Sequence, residues 1–269
     1  MKSIVGVLCA LWAGHGVDAA PDQVSVSPER MNAIYEEVKT PYKAGMELVP
    51  EDGEMLDNPM VFRHGKSWYM MFIRFDGKGY ETHLAMSDDL MKWKRLGRIF
   101  SRGEKGAWDP SRSCGGRFVN FYNAKQRGVW RETIGMAVSD DMLHWRRVGD
   151  GPVVENGTPA QHCISGDPTV RRINDVWVMF YFGYKWKRGV DGAFDTFACS
   201  YDLKHWTKWE GEPLVKPSER YDCIHAHKPW VLKHDGVVYH WYCAVGKLNG
   251  REVRGIALAT SVPKAALPR

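Results

Sequence analysis

The chain has 269 residues, of which 44% are hydrophobic and 26% charged. That length buries a sizeable core, and the balance is too apolar for an extensively disordered chain. A net charge of +5 admits an acidic partner, but no basic arm or nucleic-acid motif accompanies it, so nucleic acid is not an expected partner.

The chain opens with Lys2, an apolar stretch from Ile4 to Ala13, and small residues up to Ala19, the pattern of a secretory signal cleaved after Ala19. The expectation is a signal peptide over 1–19, one mature domain over 20–269, and a secreted or periplasmic location. The leader is too short to span a membrane, and no later segment approaches roughly 20 apolar residues. Cleavage removes Cys9 and leaves Cys114, Cys163, Cys199, Cys223 and Cys243. None forms a C-x-x-C pair, so zinc and a catalytic thiol are both unsupported and most read as small buried hydrophobes.

Residues 21–56 predict a short helix followed by a strand. Ser27 before Pro28 and Glu29 is a helix cap, and Met31, Ile34 and Tyr35 make an apolar helix face. Four segments with one grammar follow. Each has a strand opened by Pro, a turn such as His64-Gly65-Lys66 or Asp235-Gly236, an aromatic strand, a variable loop and a third strand. In the first three, an Asp-Leu-x-x-Trp-like turn then leads into a fourth strand. The prolines Pro59, Pro110, Pro168 and Pro229 lie 51, 58 and 61 residues apart, a blade-sized period. The fold expected is all-β, a propeller of four-stranded antiparallel blades with a short N-terminal helical segment. Residues 21–56 are expected to complete a fifth blade with the C-terminus.

In such a blade the start of the innermost strand and the loop between strands two and three share one end, because strand direction alternates. The residues gathered there are Asp57 and Asn58, Trp108 and Asp109, Gly166 and Asp167, and His227 and Lys228. An Asp before Pro also serves as a plain turn cap. The change to His227 and Lys228 in the fourth unit is what favours chemistry. Cleaving a glycosidic bond needs one group to protonate the leaving oxygen and another to activate water or attack the anomeric carbon. Carboxylates with a histidine, whose ordinary pKa is near 6.5, supply those roles.

The DNP, WDP and GDP strand starts, the SDDLMKW and SYDLKHW turns, and the stretch GDPTVRRINDVWVMFYFG resemble the five-bladed β-propeller glycoside hydrolases, over residues 50–261. The resemblance implies a glycosidase with a general base on the first blade, a second Asp that tunes the acid, and an acid on a later blade. By matching motif, Asp57 falls at the base position and Asp167 at the tuning position. His227, two residues before Pro229, stands where family 43 has a glutamate, and in this it is similar to family 117, whose members are thought to use a histidine. Asn58 occupies the place of the family 43 aspartate, so Asp109 is the second candidate for the base. Some members hold a calcium ion; the residues here call for no metal or cofactor, since His225 and His227 flank Ala226 without an evident third ligand.

The loops between second and third strands carry eleven Lys or Arg against six Asp or Glu. They predict an electropositive mouth for an anionic sugar, uronic or sulfated, held by groups such as Arg131, Lys185, Lys187 and Arg188. Tyr80, Trp130 and Trp186 are candidates to stack sugar faces, and Glu81 and His83 to bond hydroxyls, whereas Trp68, Trp177 and Trp241 read as core. The partner expected is therefore an oligosaccharide or polysaccharide. Two other readings stand beside the glycosidase: a carbohydrate-binding propeller without catalysis, and a phosphorylase like those of family 130.

Overall fold

The computed structural model describes residues 25–100, 118–125, 131–140, 144–156, 164–186 and 190–267. The helix α1 (Pro28–Val38) starts where Ser27 was expected to cap it, with the Arg30 amide donating to Ser27 Oγ at 3.3 Å. Met31 and Ile34 are buried, and Tyr35 stacks on Trp209 at 4.9 Å.

The strand β1 (Tyr42–Leu48) follows. The first sheet then holds β2 (Met55–His64), β3 (Ser67–Phe75), β4 (Tyr80–Ser87) and β5 (Lys94–Phe100) in sequence order. The next has three strands, β6 (Phe118–Lys125), β7 (Glu132–Ser139) and β8 (Arg146–Arg147). The third runs β9 (Ser165–Ile173), β10 (Val176–Trp186), β11 (Val190–Ser200) and β12 (Thr207–Lys208). The last holds β13 (His225–His234), β14 (Val237–Leu248) and β15 (Arg251–Thr260).

The described residues thus form four antiparallel sheets, not five. β1 does pair with the C-terminal strand as expected, Tyr42 opposite Thr260 and Leu48 opposite Ile256, but it becomes the outer strand of the fourth sheet, in the order β1-β15-β14-β13. The fourth unit lacks the turn that leads the others into an outer strand, so β15 would expose an open ladder edge, and β1 covers it.

The repeated polar turn is a structural device. Asp89 Oδ1 accepts the Met91 and Lys92 amides at 2.9 and 2.7 Å, and Asp202 Oδ1 accepts those of Lys204 and His205 at 2.9 and 2.8 Å. Trp93 and Trp206 each donate their indole N–H to the carbonyl of the Leu three residues before. Those leucines, Leu90 and Leu203, have φ of 64° and 66°. The Asp holds the turn that directs the chain into the next strand.

The chain falls into two compact units. One takes the described parts of Met1–Glu36, Asp109–Gly189 and Thr196–Glu212; the other takes Glu37–Trp108, Val190–Asp195 and Pro213–Arg269. In the first, Ile134, Val154, Val170, Met179, Tyr181 and Ala198 form a buried cluster with Trp177 packed against it. In the second, Val215, Ala226, Tyr242, Ala244, Ala257 and Ala259 do so. Trp68 and Trp241 are buried, as their strand positions predicted. Beside this core His240 Nε2 meets Asp195 Oδ2 at 3.0 Å with both side chains sealed from water, and burial lowers the His240 pKa to about 3, so the pair is a neutral imidazole on a carboxylate.

Candidate active site

Three strand starts share one backbone distortion. Asn58-Pro59, Asp167-Pro168 and Lys228-Pro229 each place two residues opposite one on the neighbouring strand, at register shifts between Asp57 and Met60, Gly166 and Thr169, and His227 and Trp230. The residue faced is a buried aromatic each time, Phe72, Tyr181 or Tyr242. Proline cannot donate to the ladder, and a bulge absorbs it. The residue before each proline takes a left-handed conformation, with φ of 47° at Asn58, 46° at Asp167 and 65° at Lys228. Asn and Asp tolerate that region; a lysine there stores strain that its surroundings must hold.

In the second unit the bulges of β2 and β13 bring together Asp57, His227 and Lys228. Asp57 Oδ2 accepts Lys228 Nζ at 2.8 Å and Arg254 Nη2 at 2.6 Å, and Asp57 Oδ1 accepts the Asn58 amide at 3.0 Å. Burial alone would push the Asp57 carboxyl up, but the Lys228 and Arg254 charges override it and bring the pKa down to about 2. Asp57 is therefore ionised throughout the working range. His227 Nδ1 donates to the Cys243 carbonyl at 3.1 Å; burial first, and then the Lys228 charge, hold its pKa well below 6.5. His225 Nδ1 accepts the Ala193 amide at 3.1 Å, and its ring lies 5.6 Å from that of His227. Burial pushes His225 toward the neutral form as well.

Arg254 and Cys243 were missed as individual site residues. Arg254 Nε donates to Cys243 Sγ at 3.3 Å, and the thiol in turn approaches the Leu56 carbonyl at 3.6 Å. Cys243 is buried as expected, and burial pushes its thiol up to about 12, so it stays protonated. Arg254 entered the sequence reading only as one of the loop cations, because nothing in REVRG marks which of its two arginines turns toward Asp57.

The same unit holds a second ionic group. Glu81 is buried on β4, bonded to Arg98 Nη1 at 3.0 Å, with Arg74 Nη1 and His83 Nε2 each at 3.6 Å. Arg74 also pairs with Glu54, which Arg95 bonds from its other side. Tyr80 is 64% exposed and lies 4.9 Å from the Phe75 ring.

In the first unit, Asp167 makes a reciprocal pair with Asn123. Its amide donates to Asn123 Oδ1 at 2.7 Å, and its carboxylate accepts Asn123 Nδ2 at 3.0 Å. One residue earlier Gly166 is bare of necessity, since a Cβ there would lie 2.8 Å from the Phe182 ring and 3.2 Å from Glu132 Oε2. Glu132 is a buried carboxylate that the sequence reading did not single out, although Glu132-Thr133 opens its strand as Glu81-Thr82 follows Tyr80 in β4. Arg131 is exposed and Lys185 turns with φ of 59°. Trp108, Asp109, Trp130, Lys187 and Arg188 lie outside the described residues, as does the Trp186 side chain.

Asp57, His227 and Cys243 offer one oxygen, nitrogen and sulfur within 4.8 Å of one another. These donors suit a metal in chemistry but not in setting. The ammonium of Lys228 and guanidinium of Arg254 already sit on the same carboxylate oxygen, and a divalent cation would have to displace both.

Repeated four-stranded antiparallel sheets with carboxylates and histidines at the strand starts define the class of the β-propeller glycoside hydrolases. The model of the glycosyl hydrolases family 32 N-terminal domain matches residues 109–261, and the chain belongs to that family. A solved structure described as a complex of BT0996 and RGII is 32% identical, covers 89% of this chain and 97% of that one, and superposes with a TM-score of 0.75. Another, described as "Glycoside hydrolase", is 31% identical over 91% and 99% of the two chains with a TM-score of 0.71. The chain is also similar to an uncharacterized protein, MT1551, of Mycobacterium tuberculosis, 22% identical over 169 residues; the match covers 56% of this chain and 54% of that protein, so the chain spans about half the length of this relative.

Proposed function

We propose that this protein is an exported glycoside hydrolase that cleaves glycosidic bonds of oligosaccharides or polysaccharides, with Asp57, Asp109, Asp167 and His227 as its reacting groups and anionic sugars among its substrates. The observation that carries the reading is the Asp57 carboxylate, held ionised by Lys228 and Arg254 at a strand start in a chain of this family.

An oxocarbenium-like transition state gathers positive charge at the anomeric carbon, and a fixed carboxylate stabilises it or attacks it. With a pKa lowered to about 2, Asp57 suits that task better than proton transfer near neutral pH. Its own charge is already offset by two cations, so what it contributes is fixed orientation together with ionisation that substrate binding does not reverse.

His227 has its Nδ1 proton committed to the Cys243 carbonyl and resists a second proton. In this reading it accepts a hydrogen bond from a sugar hydroxyl or water rather than giving up the leaving-group proton, and Asp109 and Asp167 are the candidates for the donor. Asn58, His225 and Lys228 line the same strand starts. Tyr80, Glu81, His83 and Arg131, with Trp108, Trp130 and Trp186, are the candidates for holding the sugar.

The test is product release from neutral, uronic and sulfated oligosaccharides by residues 20–269, run beside Asp57→Asn, Asp109→Asn, Asp167→Asn and His227→Ala. Release that Asp57→Asn abolishes is expected. Sugar binding without release by any of these proteins would replace the reading with that of a carbohydrate-binding propeller, and release that depends on inorganic phosphate would replace it with a phosphorylase.

A further inference from the structure

We propose that Arg254 is a specificity-determining residue that reads a carboxylate on the sugar beside Asp57, so that the substrate class is uronic. The inference rests on the glycosidase reading above and narrows it.

A guanidinium has two forks. In Arg254 the side fork is spent, Nε on the Cys243 thiol at 3.3 Å and Nη2 on Asp57 Oδ2 at 2.6 Å. The end fork, made by Nη1 and the second N–H of Nη2, bonds no group among the described residues. The side chain is 29% exposed, so that fork is reachable from outside. A carboxylate accepts two parallel N–H groups in this geometry. Because the side fork is clamped by a thiol and a carboxylate from two other strands, the open fork is fixed in direction before any ligand arrives.

The charge balance agrees. Two cations, Lys228 and Arg254, face one carboxylate, Asp57. The two neighbouring histidines add no charge, since burial holds both toward the neutral form. One positive charge is left over where a sugar would lie. Two further features suit a sugar ring. Asn58 Oδ1 is a buried acceptor with no hydrogen-bond partner among the described residues, matched to a hydroxyl donor. The exposed Tyr80 ring lies within electrostatic reach of Arg254 and offers a face for stacking.

The experiment measures binding of glucuronic and galacturonic acids and of their methyl esters to the full chain by calorimetry, together with turnover of uronic, methyl-esterified, sulfated and neutral oligosaccharides. The wild type is expected to prefer acid over ester by roughly 10- to 100-fold, the range of a charge-assisted hydrogen bond. In Arg254→Gln that ratio should fall to near one. In Arg254→Lys, which keeps a cation beside Asp57 and guards against loss of the fold, it should fall several-fold. Tyr80→Ala should weaken acid and ester alike and leave the ratio intact.

Equal binding of acid and ester by the wild type, no binding of either acid, a ratio unchanged in the Arg254 variants, or a preference for sulfate over carboxylate would each overturn the inference. The two readings fail separately. Acid-selective binding with no turnover of any sugar removes the glycosidase and leaves the carboxylate seat, whereas turnover of neutral sugars with no acid preference does the reverse.

Discussion

At Asp57-Asn58-Pro59 and at Gly166-Asp167-Pro168 the chain makes the same bulge, with the residue before proline at φ of 47° and 46° and a buried aromatic opposite. The two carboxylates nonetheless stand one residue apart in the motif and meet opposite company. Asp57 faces two cations, Lys228 and Arg254, whereas Asp167 faces the neutral amide of Asn123. The position occupied by Asp57 must be glycine in the other sheet, where Phe182 and Glu132 fill the space. A repeated backbone device therefore fixes where a side chain emerges, and the neighbours decide its charge and its chemistry.

The largest expected effect separates these two acids. Asp57→Asn leaves Lys228 and Arg254 without their counter-charge, and breaking a buried pair in this way costs about 3 kcal/mol; urea unfolding would measure it. Turnover should fall by about three orders of magnitude in the same variant. Asp167→Asn keeps an oxygen that accepts from Asn123 and should change stability by less than about 1 kcal/mol. Equal losses in the two variants would erase the distinction drawn between them.

Acid titration sharpens it. A folded pKa of about 2 against an ordinary 3.8 means that Asp57 contributes stability above pH 4 and loses it as pH falls through 2. The loss should be on the order of 2 kcal/mol, and it should vanish from the pH dependence of Asp57→Asn.

Lys228→Met removes one of the two cations that lower the Asp57 pKa. The acidic limb of the activity profile should move upward by about one unit. An unmoved limb would assign the depression to Arg254 alone.

A smaller effect tests the neutral partner. Asn123→Ala removes both bonds to Asp167 and should cost about 1 to 2 kcal/mol in thermal or chemical unfolding, with no change in the Asp57-dependent pH profile. Smallest of all, Asn58→Ala places a Cβ-bearing residue without a polar tip in the left-handed region and should cost about 1 kcal/mol, while Asn58→Gly should cost less.

Much of the architecture was legible because its signals are local. Ser27 announces the helix, Asp235-Gly236 the hairpin, and Asp89 and Asp202 the turns that recur with Trp93 and Trp206. Each acts on residues within a few positions of itself. The strand starts at Asp57, Asp167 and His227 could be placed for the same reason, as the prolines repeat. The fifth blade could not be settled this way, since whether β1 founds a sheet or closes one depends on an open edge at β15, more than two hundred residues later in the chain.

The sequence by itself determined the all-β class, the repeat, the core tryptophans Trp68 and Trp241 and the positions where acids and histidines gather, because alternation, turn residues and period are written along the chain. Only the tertiary structure decided which charges meet. Arg254 lies 197 residues from Asp57 and Lys228 lies 171, and their pairing with one carboxylate, the clamp of Cys243 on that arginine and the burial that keeps His227 neutral all arise between distant strands. Protonation state depends on what surrounds a group in space, and no spacing along the chain encodes it.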